Sequence, residues 1–179
     1  MNSSPSPADM TPAPTLGETA APAPRRRGVQ ALLAVIAAFE FLDGLMNLPG
    51  LFGGDISGVS GGLTRAYLVT HPVFAGVALI CAGLGRLREA VIALGAMIFM
   101  NWLSDIPSVM THGFELNTWF SAQETLFHVV AAPLLAACAI ALIARNERIG
   151  LAALFASLPT LYNLFGVVMF GVGVYLHGF

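Results

Sequence analysis

The chain has 179 residues, 56% of them hydrophobic and only 10% charged, with eight arginines, no lysine and a net charge of -2. A balance this apolar and faintly acidic excludes a nucleic-acid partner, which needs a basic face, and points to a membrane. The two cysteines, Cys81 and Cys138, sit deep in apolar runs with no Cys-x-x-Cys pairing, so they read as small packing residues and not as a disulfide framework or a zinc motif.

In chain order, residues 1–24 form a Pro, Ala, Ser and Thr tract with almost no large apolar side chain. Such a tract cannot offset the entropy of ordering, and together with Arg25, Arg26 and Arg27 it is expected to be a disordered cytoplasmic tail over 1–27. The arginines resemble the charged part of a signal peptide. The apolar run behind them is long, carries Glu40 and Asp43 and lacks a small-x-small cleavage site, so it reads as a retained first span. Crossing a hydrocarbon core of ~30 Å takes about 20 helical residues. Five segments are that long, roughly 29–52, 66–85, 90–110, 122–144 and 149–176. The expected fold is therefore all-α, a polytopic transmembrane helical bundle of five spans over residues 28–179. Pro49 and Pro107 should end or kink their helices near one surface. The glycine run from Gly54 to Gly62 reads as a loop whose GxxxG-like pattern is a weak dimerisation signal. Seven of the eight arginines fall on one side of this layout, with Arg65 on the other. The positive-inside rule then puts the N-terminus in the cytoplasm and Phe179 in the periplasm of a bacterial inner membrane.

Part of the chain is written twice. Phe41-Leu42-Asp43-Gly44-Leu45-Met46-Asn47-Leu48-Pro49 recurs 58 positions later as Phe99-Met100-Asn101-Trp102-Leu103-Ser104-Asp105-Ile106-Pro107. His71 and Cys81 recur 57 positions later as His128 and Cys138, and arginines close each copy, Arg86 and Arg88 in one, Arg145 and Arg148 in the other. A fixed period sets architecture. Here it implies two tandem helical hairpins, about 29–88 and 89–148, related by an axis along the membrane normal and followed by a fifth span at 149–177. Gly44 is matched by Trp102, so any symmetry is approximate.

The copies agree best at polar residues that belong inside the membrane. At ~1.5 Å per residue, Asp43 and Asp105 lie ~21 and ~22 Å up their spans, while His71 and His128 lie ~8 and ~9 Å down theirs. Four polar groups from four spans thus converge on one level. Helical periodicity puts Glu40, Asp43 and Asn47 on one stripe, Asn101, Ser104, Asp105 and Ser108 on another, and Glu124 with His128 on a third. Such stripes should face inward, because lipid offers polar groups no partner. Glu40, Asp43, Asp105 and Glu124 have no Lys or Arg at their depth, and a buried uncompensated carboxylate is costly. Protonation, pairing with His71 or His128, or a bound cation would each resolve that cost. Asp43, Asp105, Glu40 and Glu124 are accordingly the candidate catalytic acids and bases. His71, His128, Asp43 and Asp105 are the candidate ligands for a divalent metal such as iron, manganese or zinc. Two histidines on facing helices could alternatively hold a haem.

The stretch Gly76-Val77-Ala78-Leu79-Ile80-Cys81-Ala82-Gly83-Leu84-Gly85-Arg86-Leu87-Arg88-Glu89-Ala90, a Gly-rich span ending at an Arg turn that re-enters the membrane, resembles the DoxX-like family of small bacterial membrane proteins. The resemblance covers the first four spans and implies a four-helix bundle linked to respiratory or redox functions. It carries no site residue over, and the fifth span, the tail and the His/Asp repeat depart from it.

Three functions are compatible with these residues. An enzyme would use the carboxylates and histidines, as acids and bases or as metal ligands, on a lipophilic substrate such as a quinone or isoprenoid. A proton or metal-ion transporter would need polar residues continuing toward the cytoplasm, where the spans are nearly all apolar. A non-catalytic subunit or assembly factor would use its apolar faces on a membrane-protein partner or a second copy.

Overall fold

The computed structural model describes residues 24–52, 58–114 and 118–178. Of the expected disordered tail, residues 1–23 lie outside the described residues, while Arg26 and Arg27 already belong to the first helix. The described residues are helical throughout and contain no strand: α1 (Pro24–Asn47), a 3-10 turn (Leu48–Phe52), α2 (Gly58–Gly83), α3 (Leu87–His112), α4 (Trp119–Leu126), a π-helical turn (Phe127–Ala131), α5 (Ala132–Ala144) and α6 (Ile149–His177). Five segments are long and apolar enough to cross a membrane, Arg26–Phe52, Ser60–Gly83, Leu87–Thr111, Ser121–Ala144 and Ile149–Leu176, with α4, the π turn and α5 forming the fourth. The protein is an all-helical, multi-pass membrane bundle.

Hydropathy located the spans but misplaced the start of the second. Gly58 to Gly62, expected in a loop, form the first turns of α2, where Thr64 Oγ1 donates to the carbonyl of Ser60 at 3.1 Å. Polar residues close that turn internally, which an apolar count cannot see. The consequence is one of depth: His71 lies ~20 Å from one end of α2 and ~18 Å from the other, in mid-helix and not ~8 Å below a surface. Pro49 sits in the 3-10 turn that ends α1, whereas Pro107 lies inside α3.

The spans form a closed ring in which α1 meets α2, α2 meets α3, α3 meets α5, α5 meets α6 and α6 returns to α1. α3 leans inward and also touches α1 and α6. Small residues allow this. Ala75, Ala78 and Ala82 of α2, Ala139 of α5, and Ala152, Ala153 and Ala156 of α6 are buried around Leu33, Val91 and Leu94, while Ala132 and Ala136 of α5 pack with Ile98 of α3. Lipid tails are as apolar as leucine, so helices in a membrane associate through close van der Waals contact, which alanine permits. Cys81 packs against this core as expected, but Cys138 is exposed on the outside of the bundle.

The two hairpins are closed by the same devices. At the end of α2 the Arg86 amide donates to Cys81 and the Gly85 amide to Ala82. At the end of α5 the Glu147 amide donates to Leu142 and the Asn146 amide to Ile143. Both are Schellman caps, and both put a residue in the left-handed region, Gly85 at φ 73 and Asn146 at φ 59. Gly and Asn are the residues that tolerate it. A side chain from the preceding helix then takes a last carbonyl. Gln30 donates to Ala82 at 2.9 Å in the first hairpin, and Arg88, 58 positions later, donates to Ile143 at 2.9 Å in the second.

Candidate functional site

Glu40 lies three turns into the apolar part of α1 and is only 8% exposed. Its carboxylate is engaged at both oxygens. His71 Nε2 of α2 is 2.9 Å from Oε2, and Thr160 Oγ1 of α6 donates to Oε1 at 2.5 Å. His71, itself buried, has its other nitrogen, Nδ1, 2.7 Å from the Tyr67 hydroxyl one turn earlier on α2. With Glu40 ionised the hydrogens fall into one consistent set. The Tyr67 O–H donates to Nδ1, Nε2–H donates to Oε2, and the Thr160 O–H donates to Oε1. Three helices thereby contribute to one chain in which every buried polar atom has a partner, as an interior of low polarity requires.

Close backbone approach makes that chain possible. A Cβ on Gly44 would meet the Pro72 nitrogen at 3.0 Å, so α1 and α2 touch one residue beyond His71 and one turn beyond Glu40. Pro72 and Pro159 flank His71 and Thr160 inside their helices. Each proline removes an amide donor and frees a carbonyl one turn back. Asp43 follows Glu40 on the same stripe. Donor atoms of Glu40, Asp43 and His71 lie within 4.8 Å of one another, close enough to hold one metal ion. Asn47 Nδ2 donates to Asp43 Oδ2 at 3.1 Å, completing the expected stripe.

A cavity of about 80 Å³ adjoins this group, lined among others by Asp43, Tyr67, His71, Asn101, Trp102, His128 and Asn163. A wider cavity of about 340 Å³ lies beside it toward the connection between α3 and α4, lined by Asp105, Ser108, Ser121, Glu124, Thr125 and His128. His128 borders both. The expected single level therefore resolves into two neighbouring chambers. The first holds Glu40, Asp43 and His71, and the second holds Asp105 and Glu124 with His128 at the boundary. Asp105 and His128 both face this second chamber. Among the described residues, however, the only group with ligand atoms close enough for a metal is Glu40, Asp43 and His71, so the quartet of His71, His128, Asp43 and Asp105 is not assembled. Ser104, expected on the inward stripe, donates back to its own helix at the Asn101 carbonyl.

Helix length separates the histidines. Measured back from the left-handed caps at Gly85 and Asn146, His71 is ~21 Å along its span and His128 ~27 Å, one turn further. The π turn at Phe127–Ala131 carries His128. Such turns insert one residue and often mark functional positions. Pro133 lacks the amide that would bond the Val129 carbonyl in an α-helix, and the Trp102 indole takes that carbonyl at 3.0 Å instead. Phe127 stacks on Tyr162 of α6 with centroids 3.8 Å apart, and the His128 ring stands edge-on to both.

Sequence reasoning missed the contribution of the fifth span. Thr160 has no counterpart among the recurring polar residues, because α6 follows the two expected hairpins. Its signal is Pro159-Thr160 inside an otherwise apolar helix, with Ser157 fully buried on the adjacent turn. Tyr67 falls at the surface of a span that starts at Ala66, and only the longer α2 carries it into the bundle. No protein-family model, no curated protein and no solved structure matches the chain.

Proposed function

We propose that this protein is a bacterial inner-membrane enzyme that performs acid–base chemistry on a lipophilic substrate at an intramembrane site opening toward the periplasm. The observation that carries this reading is the relay Tyr67–His71–Glu40–Thr160, in which both nitrogens of the imidazole and both oxygens of the carboxylate are engaged beside a cavity. A hydroxyl backed by an imidazole that a carboxylate orients is the general arrangement for moving a proton at a reacting atom. All four residues line the cavity, and the Tyr67 hydroxyl is the group that the imidazole backs. His71 takes its proton, Glu40 stabilises the imidazolium that results, and Thr160 fixes the carboxylate. The absence of bulk water strengthens each of these interactions. Asp105, Glu124 and His128 line the wider chamber between this relay and the α3–α4 connection, which the arginine distribution assigns to the periplasmic side. Buried residues toward the other side, including Leu33, Ala37, Ala78 and Leu94, are apolar, which favours a one-sided pocket over an ion path.

A second reading rests on the Glu40, Asp43 and His71 group, whose two carboxylates and one imidazole suit a divalent iron, manganese or zinc ion. Binding would displace the proton shared by Glu40 and His71. The two readings separate on protein purified in mild detergent, by metal analysis together with ¹⁵N NMR of the His71 ring. The acid–base reading expects no stoichiometric metal, one protonated and one accepting ring nitrogen, and a change at Nδ1 in Tyr67→Phe. Stoichiometric metal lost in His71→Gln would establish the second reading, and a His71 signal indifferent to Tyr67→Phe would remove the first. Mass spectrometry of the organic extract supplies the substrate class, since an apolar compound enriched over bulk lipid is expected. An extract indistinguishable from the surrounding lipid would count against a lipophilic substrate.

A further inference from the structure

A second region of interest, a broad cavity, lies at the opposite end of the bundle from the carboxylates. It holds about 990 Å³ where α1, α3 and α6 begin, and is lined by Arg26 and Val29 of α1, Leu87 of α3, Asn146 and Arg148 of the α5–α6 turn, and Ile149 with its successors on α6. Its two cations come from opposite ends of the chain. The turn that brings Arg148 there is unusual, because both Asn146 and Arg148 have left-handed backbone, at φ 59 and φ 42, which disfavours an arginine. Two other arginines on this side are occupied. Arg86 pairs with Glu89 and Arg88 bonds the Ile143 carbonyl. Among the described residues neither Arg26 nor Arg148 forms an ion pair with a carboxylate.

We propose that this cavity binds the phosphate head group of an anionic phospholipid, with Arg26 and Arg148 on the phosphate and the acyl chains along Val29, Leu87, Ile149 and Leu151. Guanidinium groups match phosphate oxygens in geometry as well as charge. Basic pockets between membrane helices hold lipid head groups on the side where arginines gather. The apolar walls select a lipid over a free anion, because a small ion would leave them exposed to water. The proposal is independent of the acid–base relay.

Native mass spectrometry of the full chain in detergent, titrated with phosphatidylglycerol or phosphatidylcholine, tests it. One phosphatidylglycerol should be retained in preference. R26Q/R148Q should weaken its binding roughly thirtyfold, from the usual contribution of each arginine near a membrane surface, and R26K/R148K should keep most of it. R27Q/R145Q removes the same charge from exposed arginines that do not line the cavity and should change little. Equal loss in both Gln pairs would reduce the effect to diffuse surface attraction and overturn the site. Equal retention of phosphatidylcholine would do the same. Displacement of the lipid by inorganic phosphate at matched ionic strength would overturn the lipid assignment in favour of a free anion. If R26Q/R148Q does not fold, a salt titration of the unaltered protein decides, since binding insensitive to salt would exclude the arginine–phosphate contact.

Discussion

The first hairpin carries Glu40, Asp43 and His71 in a closed group, whereas the second carries Asp105, Glu124 and His128 around an open chamber. The difference begins at one pair of positions. Gly44 lets α1 touch Pro72, while 58 positions later Trp102 stands between α3 and the fourth span, its indole on Val129. With the first pair of helices in contact, Glu40 reaches His71. Where Trp102 bridges the second pair, none of Asp105, Glu124 and His128 hydrogen-bonds to another of the three among the described residues. The closed chain also draws a partner, Thr160, from a helix outside both hairpins. A recurring histidine and matching hairpin closures therefore do not make two equal sites. Contact between α1 and α2 at Gly44 is what lets the first set of side chains form a network.

The largest effect expected from this contrast is at Glu40. Glu40→Ala strands His71 and Thr160 in the interior and should lower stability by about 3–5 kcal/mol, as loss of one partner from a buried pair does. Asp105→Ala, bordering the open chamber, should lower it by less than about 1 kcal/mol. Thermal unfolding in detergent reads both, and equal losses would erase the distinction between closed and open. Gly44→Ala comes next. Alanine normally favours a helix over glycine by about 0.5–1 kcal/mol. Here its Cβ would sit 3.0 Å from backbone that cannot move aside, so a loss of about 1–3 kcal/mol is expected, with weaker coupling of His71 to Glu40. Gly171→Ala on α6, where nothing lies within 4 Å, supplies the control and should be neutral or stabilising. A stabilised Gly44→Ala protein would show that the approach of α1 to α2 is not what closes the site.

Smaller changes sharpen the comparison. Trp102→Phe keeps most of the ring but frees the Val129 carbonyl, and should reduce stability by about 0.6–1.7 kcal/mol, the range for polar contacts inside membranes. The smallest effects should be at Gln30→Ala and Arg88→Ala, each removing a cap from the following helix and each changing stability by about 0.5–1 kcal/mol. Matched values from the two would fit the shared construction of the hairpins. A large difference would show that only their outlines agree.

The spans were legible because about 20 apolar residues in a row have few other fates. α2 reads too short from hydropathy because the Thr64 hydroxyl donates to the Ser60 carbonyl within its first turns, an internal bond that lowers the cost of their polarity. Glu40, Asp43 and His71 were legible as a site because charge at that depth demands a partner. Their separation from Asp105 and His128 was not, since it depends on an extra turn before Asn146 and on the π turn, and every residue from Phe127 to Ala131 is compatible with an ordinary helix. Pro133 was the one available clue.

α6 has 29 residues and so a length of ~43 Å, against a hydrocarbon thickness of ~30 Å. The surplus does not fall evenly. Beyond Tyr162 nearly every residue as far as Leu176 is apolar or glycine, and those from Asn163 to Val172 are exposed around the whole circumference of the helix. A water-filled surround would be unfavourable for such a surface, so the free half must lean within the bilayer to keep its length immersed. The half that is packed cannot follow, because Ala152, Ala153 and Ala156 are wedged among neighbours. Pro159 lies at the junction, where a helix gives most easily. Pro159 is also the residue beside Thr160, so a change in the tilt of the free half would be felt next to the hydroxyl that holds Glu40.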